Sequence, residues 1–167
     1  MQAKLETAPT WDSFKDSLYR VLKAVNPRYI FEYGPGVSTG IMALYPSVEL
    51  IDSVEHNESW FNKYRWEMPD NVNIVYQPSM ELYPETPGRR DNYDLIFVDG
   101  REREKCLYVA RGRLILNGVV MLHDAERPSY KEMIDTFRFK FFTDGGHTVT
   151  LTDSSMTAMR LEGALYD

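Results

Sequence analysis

Five short apolar runs recur along this chain: "YIFE", "VELIDSVE", "VNIVY", "YDLIFVDG" and "VVMLHD". Helix-patterned stretches separate most of them. A short helix through Met42 and Leu44 follows the first, "ESWFNKYRWEM" the second and "REREKCLYVARGRLI" the fourth. Parallel strands need long crossovers, and strands buried on both faces read as continuous apolar runs. The pattern therefore predicts an α/β fold, a mostly parallel sheet with helices on both faces. A leading helix is predicted in "WDSFKDSLYRVLKAV", where Trp11, Phe14, Leu18, Leu22 and Val25 recur at helical spacing. The loop "YPETPGRRDN" separates the third and fourth strands.

The tail breaks the alternation. "SYKEMIDTFRF" reads as a last helix, and "HTVTLT" and "MTAMRLE" as two β-rich runs separated only by "DSS". Three residues are too few for a crossover helix, so these runs are predicted to pair as an antiparallel hairpin at the sheet edge. The helix "REREKCLYVARGRLI" is predicted to stop at Asn117-Gly118, and Cys106 inside it reads as a packed residue.

The ends of the strands carry the chemistry. Four of the five runs finish in Glu32, Glu55, Asp99 and His123-Asp124. Ligands of doubly wound sheets bind beyond these carboxyl ends, where strand order reverses. The first run leads into "EYGPGVSTG", a bare turn followed by small hydroxyls that suit a helix start. Such a turn lets a ligand approach the backbone closely. Glu55 follows Gly36 by about twenty residues, the spacing of a carboxylate that accepts from both hydroxyls of a ribose. Turn and acid together point to an adenosine-containing cofactor.

These motifs resemble those of the class I S-adenosylmethionine-dependent methyltransferases. Glu32, Gly34, Gly36, Ser38 and Thr39 match the first motif, Glu55 the second, "YDLIFVDGR" the fourth and "LNGVVMLHDAERPSY" the one after it. The similarity is greatest to small O-methyltransferases acting on sugars and small molecules, including plant polysaccharide methyltransferases with a His-Asp-x-x-Arg element. It implies a Rossmann-like methyltransferase fold: a seven-stranded mostly parallel sheet with an antiparallel C-terminal hairpin strand and helices on both faces. It implies one methyltransferase domain over 1–167, with 1–26 as a leading helical segment. The cofactor would be S-adenosyl-L-methionine, held by Glu32, Gly34, Pro35, Gly36, Ser38, Glu55, His56 and Asp99. Many members place an Asp after strand three to bind the adenine; "YQPSMEL" here offers Pro78 and Ser79 instead, and Ser79 and Met80 are counted with the cofactor-binding residues.

Methyl transfer from a sulfonium requires mainly that acceptor, methyl and sulfur be held in line. A hydroxyl acceptor must also lose its proton, to a base or with a metal's help. Asp99, His123 and Asp124 are the candidate catalytic residues. Two carboxylates, Asp99 and Asp124, suit Mg²⁺, and the resemblance implies the same; His123 is the better base by its ordinary pKa. Arg101, Arg103 and Arg127 flank these acids and are candidates for binding an acidic acceptor, with Arg89 and Arg90 of the long loop as further candidates. The alternative for the arginines is pairing with Glu102, Glu104 and Glu126. Trp60 and Trp66 read as core residues.

Composition bounds the remainder. The 167 residues carry a net charge of −6, which argues against broad binding to nucleic acid or an anionic membrane. No run approaches the length of a membrane span, and "MQAKLETAPTWDSF" lacks the apolar core of a signal peptide, so a cytoplasmic protein is expected. A small-molecule or saccharide acceptor is the expected partner. A nucleic-acid methyltransferase and a non-catalytic cofactor-binding subunit are the alternatives. A dehydrogenase is disfavoured, because the tail is not parallel and the chain lacks room for a second domain.

Overall fold

The computed structural model describes residues 11–167. The absence of an apolar leader was expected partly of residues 1–10, and lies to that extent outside the described residues. Among the described residues, no helix is long and apolar enough to cross a membrane.

Among the described residues, seven strands form one sheet. They are β1 Tyr29–Tyr33, β2 Leu50–Glu55, β3 Val72–Tyr76, β4 Tyr93–Val98, β5 Leu114–His123, β6 Phe139–Thr143 and β7 Thr148–Thr152. Their order is β3-β2-β1-β4-β5-β7-β6. The first five run parallel, while β7 pairs antiparallel with both β5 and β6. Strand order reverses between β1 and β4, so a crevice opens beyond their carboxyl ends.

The helices are α1 Trp11–Val25, α2 Val37–Ala43, α3 Glu58–Glu67, α4 Arg103–Gly112, α5 Lys131–Asp135 and α6 Ser155–Tyr166. Period-2 alternation makes two cores. Ile30, Leu95, Phe97, Val119 and Met121 face α1, α2 and α6, which bury Phe14, Leu18, Met42 and Leu161 there. Phe31, Tyr33, Ile96, Val98, Val120 and Leu122 face the other way, onto Cys106, Leu107 and Ala110 of α4 and Ile134 of α5. Cys106 is fully buried, as its pattern predicted, and burial pushes its thiol pKa up.

Three expectations about the elements need correction. "MTAMRLE" is not a strand but part of α6: the Ser154 hydroxyl accepts from Thr157 N and caps the helix, and Ala158 and Leu161 are buried. The hairpin partner of "HTVTLT" is instead "FKFFT", whose first residue, Phe139, is the last of the helix predicted in "SYKEMIDTFRF". That helix shrinks to α5, and a 3₁₀ turn over Pro128–Tyr130 leads into it. Finally, α4 stops at Gly112 rather than Asn117-Gly118, and β5 starts at Leu114. Leu114 pairs with Tyr93 and Val119 with Leu95, so residues 115–118 bulge out of the ladder between them.

Candidate active site

At the switch point, β1 and β4 run into loops that touch. Gly34 has φ +89, and a Cβ there would lie 2.9 Å from both the Asp99 carbonyl oxygen and Gly100 Cα. Only glycine accepts both the left-handed backbone and that approach. Gly36 differs: its backbone is extended, and an added Cβ would meet no protein atom within 4 Å. Its bareness leaves floor space in a cleft of about 820 Å³, within the range of small-molecule sites.

That cleft is lined by Gly34, Pro35, Gly36, Val37, Ser38, Glu55, His56, Asn57, Asp99, Arg101, Arg103, His123 and Arg127. Most of the residues singled out in the sequence therefore meet in one place. Glu55 is 3% exposed at the end of β2. Its Oε1 accepts from Asn57 N at 2.7 Å and lies 2.9 Å from His56 Nδ1. Both contacts fall on one oxygen.

Glu32 does not line the cleft. It is fully buried behind the turn, where it accepts from Thr39 (2.7 Å), Ser53 (2.9 Å) and Ser38 (3.3 Å). Thr39 Oγ1 in turn accepts from Gly36 N at 2.9 Å. Glu32 thus fixes the shape of the glycine turn through hydroxyls. Burial pushes its pKa up to about 8, against the pull of its three donors. Ser79 and Met80 also lie off the cleft. The Ser79 hydroxyl accepts from Leu82 N to form a turn, and Met80 packs on the core.

On the opposite wall, Arg103 organises the acids. Its Nε donates to the Gly100 carbonyl at 2.9 Å and Nη1 to the His123 carbonyl at 2.8 Å. Nη1 also reaches Asp124 Oδ2 at 2.9 Å, and Nη2 lies 3.3 Å from Asp99 Oδ1. A guanidinium therefore sits where a metal shared by Asp99 and Asp124 would lie. This arrangement does not fit the expected Mg²⁺ pair. It also ties Arg103 to the protein, leaving it no fork for an acceptor.

His123 Nδ1 lies 3.2 Å from Asp99 Oδ1. Burial pulls its pKa down, but the Asp99 hydrogen bond and the charges of Asp99 and Asp124 outweigh this and leave it above the ordinary value. Asp124 has a left-handed backbone, φ 55. Burial would raise its pKa, yet Arg103, His123 and Arg127 hold it below the ordinary carboxylate value.

The remaining arginines divide. Arg127 Nη2 reaches Asp124 Oδ2 at 3.0 Å, with 56% of its side chain exposed, and Arg101 is exposed at the mouth. They do not pair with the glutamates considered for them: Glu102 holds Lys105 and Glu126 holds His147. Arg89 and Arg90 are not at the mouth. The Arg89 N–H donates to Asp52, and the Arg90 guanidinium stacks 3.6 Å from the Tyr29 ring, at the opening of β1. A Cβ at Gly88 would clash with Tyr93 Oη and the Asp52 carboxylate, so the bare glycine lets the loop pack closely at the other end of the sheet.

Several lining residues had no signal in the sequence. Trp60, assigned to the core, lines the cleft with 42% exposure and donates to the Pro35 carbonyl at 2.7 Å. Trp66 is 78% exposed. Trp11, Phe14 and Tyr130 complete the aromatic wall. His147, at the start of the β7 hairpin arm, reaches Asp124 Oδ1 with Nε2 at 2.9 Å.

No protein-family model and no curated protein sequence matches the chain. Solved structures do. A methyltransferase-like protein from Silicibacter pomeroyi is similar over 94% of this chain and 97% of its own, with a TM-score of 0.69 and 19% identity. A TehB-like SAM-dependent methyltransferase from Corynebacterium glutamicum gives a TM-score of 0.61 at 14% identity, covering 83% of this chain and 88% of its own. Spermidine synthase from Thermotoga maritima gives 0.60 at 14%, covering 87% of this chain, which spans only 62% of that enzyme. At such identities the likeness concerns the fold. The chain has the Rossmann-like methyltransferase fold.

Proposed function

We propose that the chain is an S-adenosyl-L-methionine-dependent methyltransferase that O-methylates a small-molecule or saccharide acceptor, with acidic acceptors preferred. One observation carries the reading. Glu55, nearly fully buried, opens into the same cleft as the bare Gly34–Gly36 turn and the Asp99–His123 pair. With Oε1 engaged by Asn57 and His56, Oε2 accepts from a ribose. The floor at Gly36 accepts the body of the cofactor, which supplies a methyl group on a positively charged sulfur. Asp99 adds negative charge beside that position, favourable to a cation.

The acceptor enters on the His123 side. With Nδ1–H held by Asp99, the neutral ring keeps its Nε2 lone pair and takes the hydroxyl proton. Arg101 and Arg127 at the rim favour a carboxylate or phosphate on the acceptor. Trp11, Phe14 and Trp60 give its body a flat apolar wall.

Thermal denaturation tests the cofactor. S-adenosylmethionine and its demethylated product should each raise Tm, and Glu55→Ala should abolish most of the shift. Stabilisation by NAD and by neither adenosyl compound would overturn the reading. A methyl-transfer screen in which oligonucleotides outperform sugars would move it to a nucleic-acid methyltransferase. Binding without transfer to any acceptor would leave a cofactor-binding subunit.

A further inference from the structure

Beside the cleft, the end of β5 and the start of β7 bring together two histidines and an aspartate. A ring nitrogen of His123, one of His147 and one oxygen of Asp124 all lie within 4.8 Å of one another. His147 Nε2 is 2.9 Å from Asp124 Oδ1, and His123 Nδ1 is 3.7 Å from the same oxygen. A tetrahedral ion about 2.0 Å from its ligands sets them about 3.3 Å apart, between these two values. The rings stand at 86° to each other with centroids 4.6 Å apart, so they converge without stacking.

We propose that His123, Asp124 and His147 bind a divalent transition-metal ion of the zinc–cobalt class. Three arrangements support it. Asp124 divides its oxygens: Oδ2 takes Arg103 and Arg127, while Oδ1 turns to the histidines. The other nitrogen of His147, Nδ1, lies 2.8 Å from Glu126 Oε1. A carboxylate behind a histidine fixes the tautomer whose outer nitrogen is free to ligate, the usual support of a metal-bound imidazole. The three side chains are 18–24% exposed, so an ion can enter and keep an open position.

Imidazole nitrogens select this class of ion, whereas Mg²⁺ demands oxygen. The site differs from the Asp99–Asp124 pair, whose shared position Arg103 fills. Asp99, Asp124 and Glu126 set three negative charges against the two of Arg103 and Arg127, so a dication meets no net positive field. Ligation through His123 Nδ1 takes that nitrogen from Asp99 Oδ1, 3.2 Å away, so loading ends the arrangement in which Asp99 holds Nδ1–H for base duty.

The inference stands apart from the transferase reading, because binding is read on the protein alone. Co²⁺ titrated into metal-free protein should produce visible absorption of a low-symmetry nitrogen–oxygen site at one equivalent. At a hundredfold excess over Kd, Zn²⁺ or Co²⁺ should raise Tm by roughly 5–10 °C, and Mg²⁺ should not. His147→Gln should remove the absorption with circular dichroism unchanged, and Glu126→Gln should weaken Co²⁺ binding by about 10–100-fold. The idea fails if no Co²⁺ band appears, or if the band survives His147→Gln. It fails equally if Mg²⁺ stabilises the protein as well as Co²⁺ does.

Discussion

Arg103 joins Asp99 to Asp124, with Nη2 3.3 Å from the first carboxylate and Nη1 2.9 Å from the second. The same guanidinium reaches the carbonyls of Gly100 and His123, so it ties the loop after β4 to the end of β5. Its side chain is only 12% exposed, and cutting it leaves two carboxylates facing each other. Arg103→Ala should cost about 2–4 kcal/mol in a urea titration. Arg103→Lys should recover less than half, since one ammonium cannot span four acceptors. A variant as stable as the parent would show that the bridge is incidental.

Gly34 and Gly36 look alike in the sequence, yet the structure separates them. Gly34→Ala forces a methyl against the Asp99 carbonyl and Gly100 at a positive φ, and should destabilise the fold by more than about 2 kcal/mol. Gly36→Ala meets no protein atom, so its Tm should stay within about 2 °C of the parent. Its methyl occupies the cleft floor instead, so the Kd for S-adenosylmethionine should rise by about tenfold or more. Calorimetry on the two variants checks both halves. Tight cofactor binding by Gly36→Ala would move the cofactor off that floor.

The five parallel strands were legible because burial on both faces leaves continuous apolar runs, and Glu55, Asp99 and His123 were legible because cleft-lining residues cluster where such runs stop, although Glu32 at the first of these ends is buried behind the turn. The tail was less so. Thr, Ala, Met and Leu in "MTAMRLE" suit either state, and only the Ser154 cap and burial against α1 decide for helix. "FRFKFF" alternates as a strand does, but it follows a helical start with no breaker between. In the site, Trp60 lies on a helix whose aromatics fit a core pattern, and only its position over Pro35 turns it toward the cleft. His147 is brought to Asp124 by the β6–β7 hairpin, a pairing that nothing near it in sequence announces.

Glu32 should make stability depend on pH. Burial raises its pKa from 4.5 to about 8, so between those values the folded chain holds a proton that the unfolded chain has released. The contribution is full below pH 4.5 and is lost as pH rises through 8, at up to about 1.4 kcal/mol per pH unit. Glu32→Gln keeps the shape without the titration. Its stability relative to the parent should therefore improve from pH 5 to pH 9, as read by urea midpoints. A constant difference across that range would show that the three hydroxyl donors hold the carboxylate ionised throughout.

The proposed preference for acidic acceptors rests on which arginines are free. Arg103 spends its donors on the protein, so it fixes the wall rather than the ligand. Arg127 has a single contact to Asp124 and is more than half exposed at the mouth. It can swing toward an incoming carboxylate or phosphate without abandoning a buried partner. On that basis uronic acids, acidic glycans or phosphorylated metabolites should outperform neutral sugars in a methyl-transfer screen. Arg127→Ala should raise KM for the acidic acceptor by about tenfold, the loss of one charge-assisted contact, with kcat and cofactor Kd little changed. Neutral acceptors should respond to the substitution by less than about twofold. An equal effect on neutral and acidic acceptors would mean that Arg127 acts by supporting Asp124, and the preference for negative charge would have no residue to carry it.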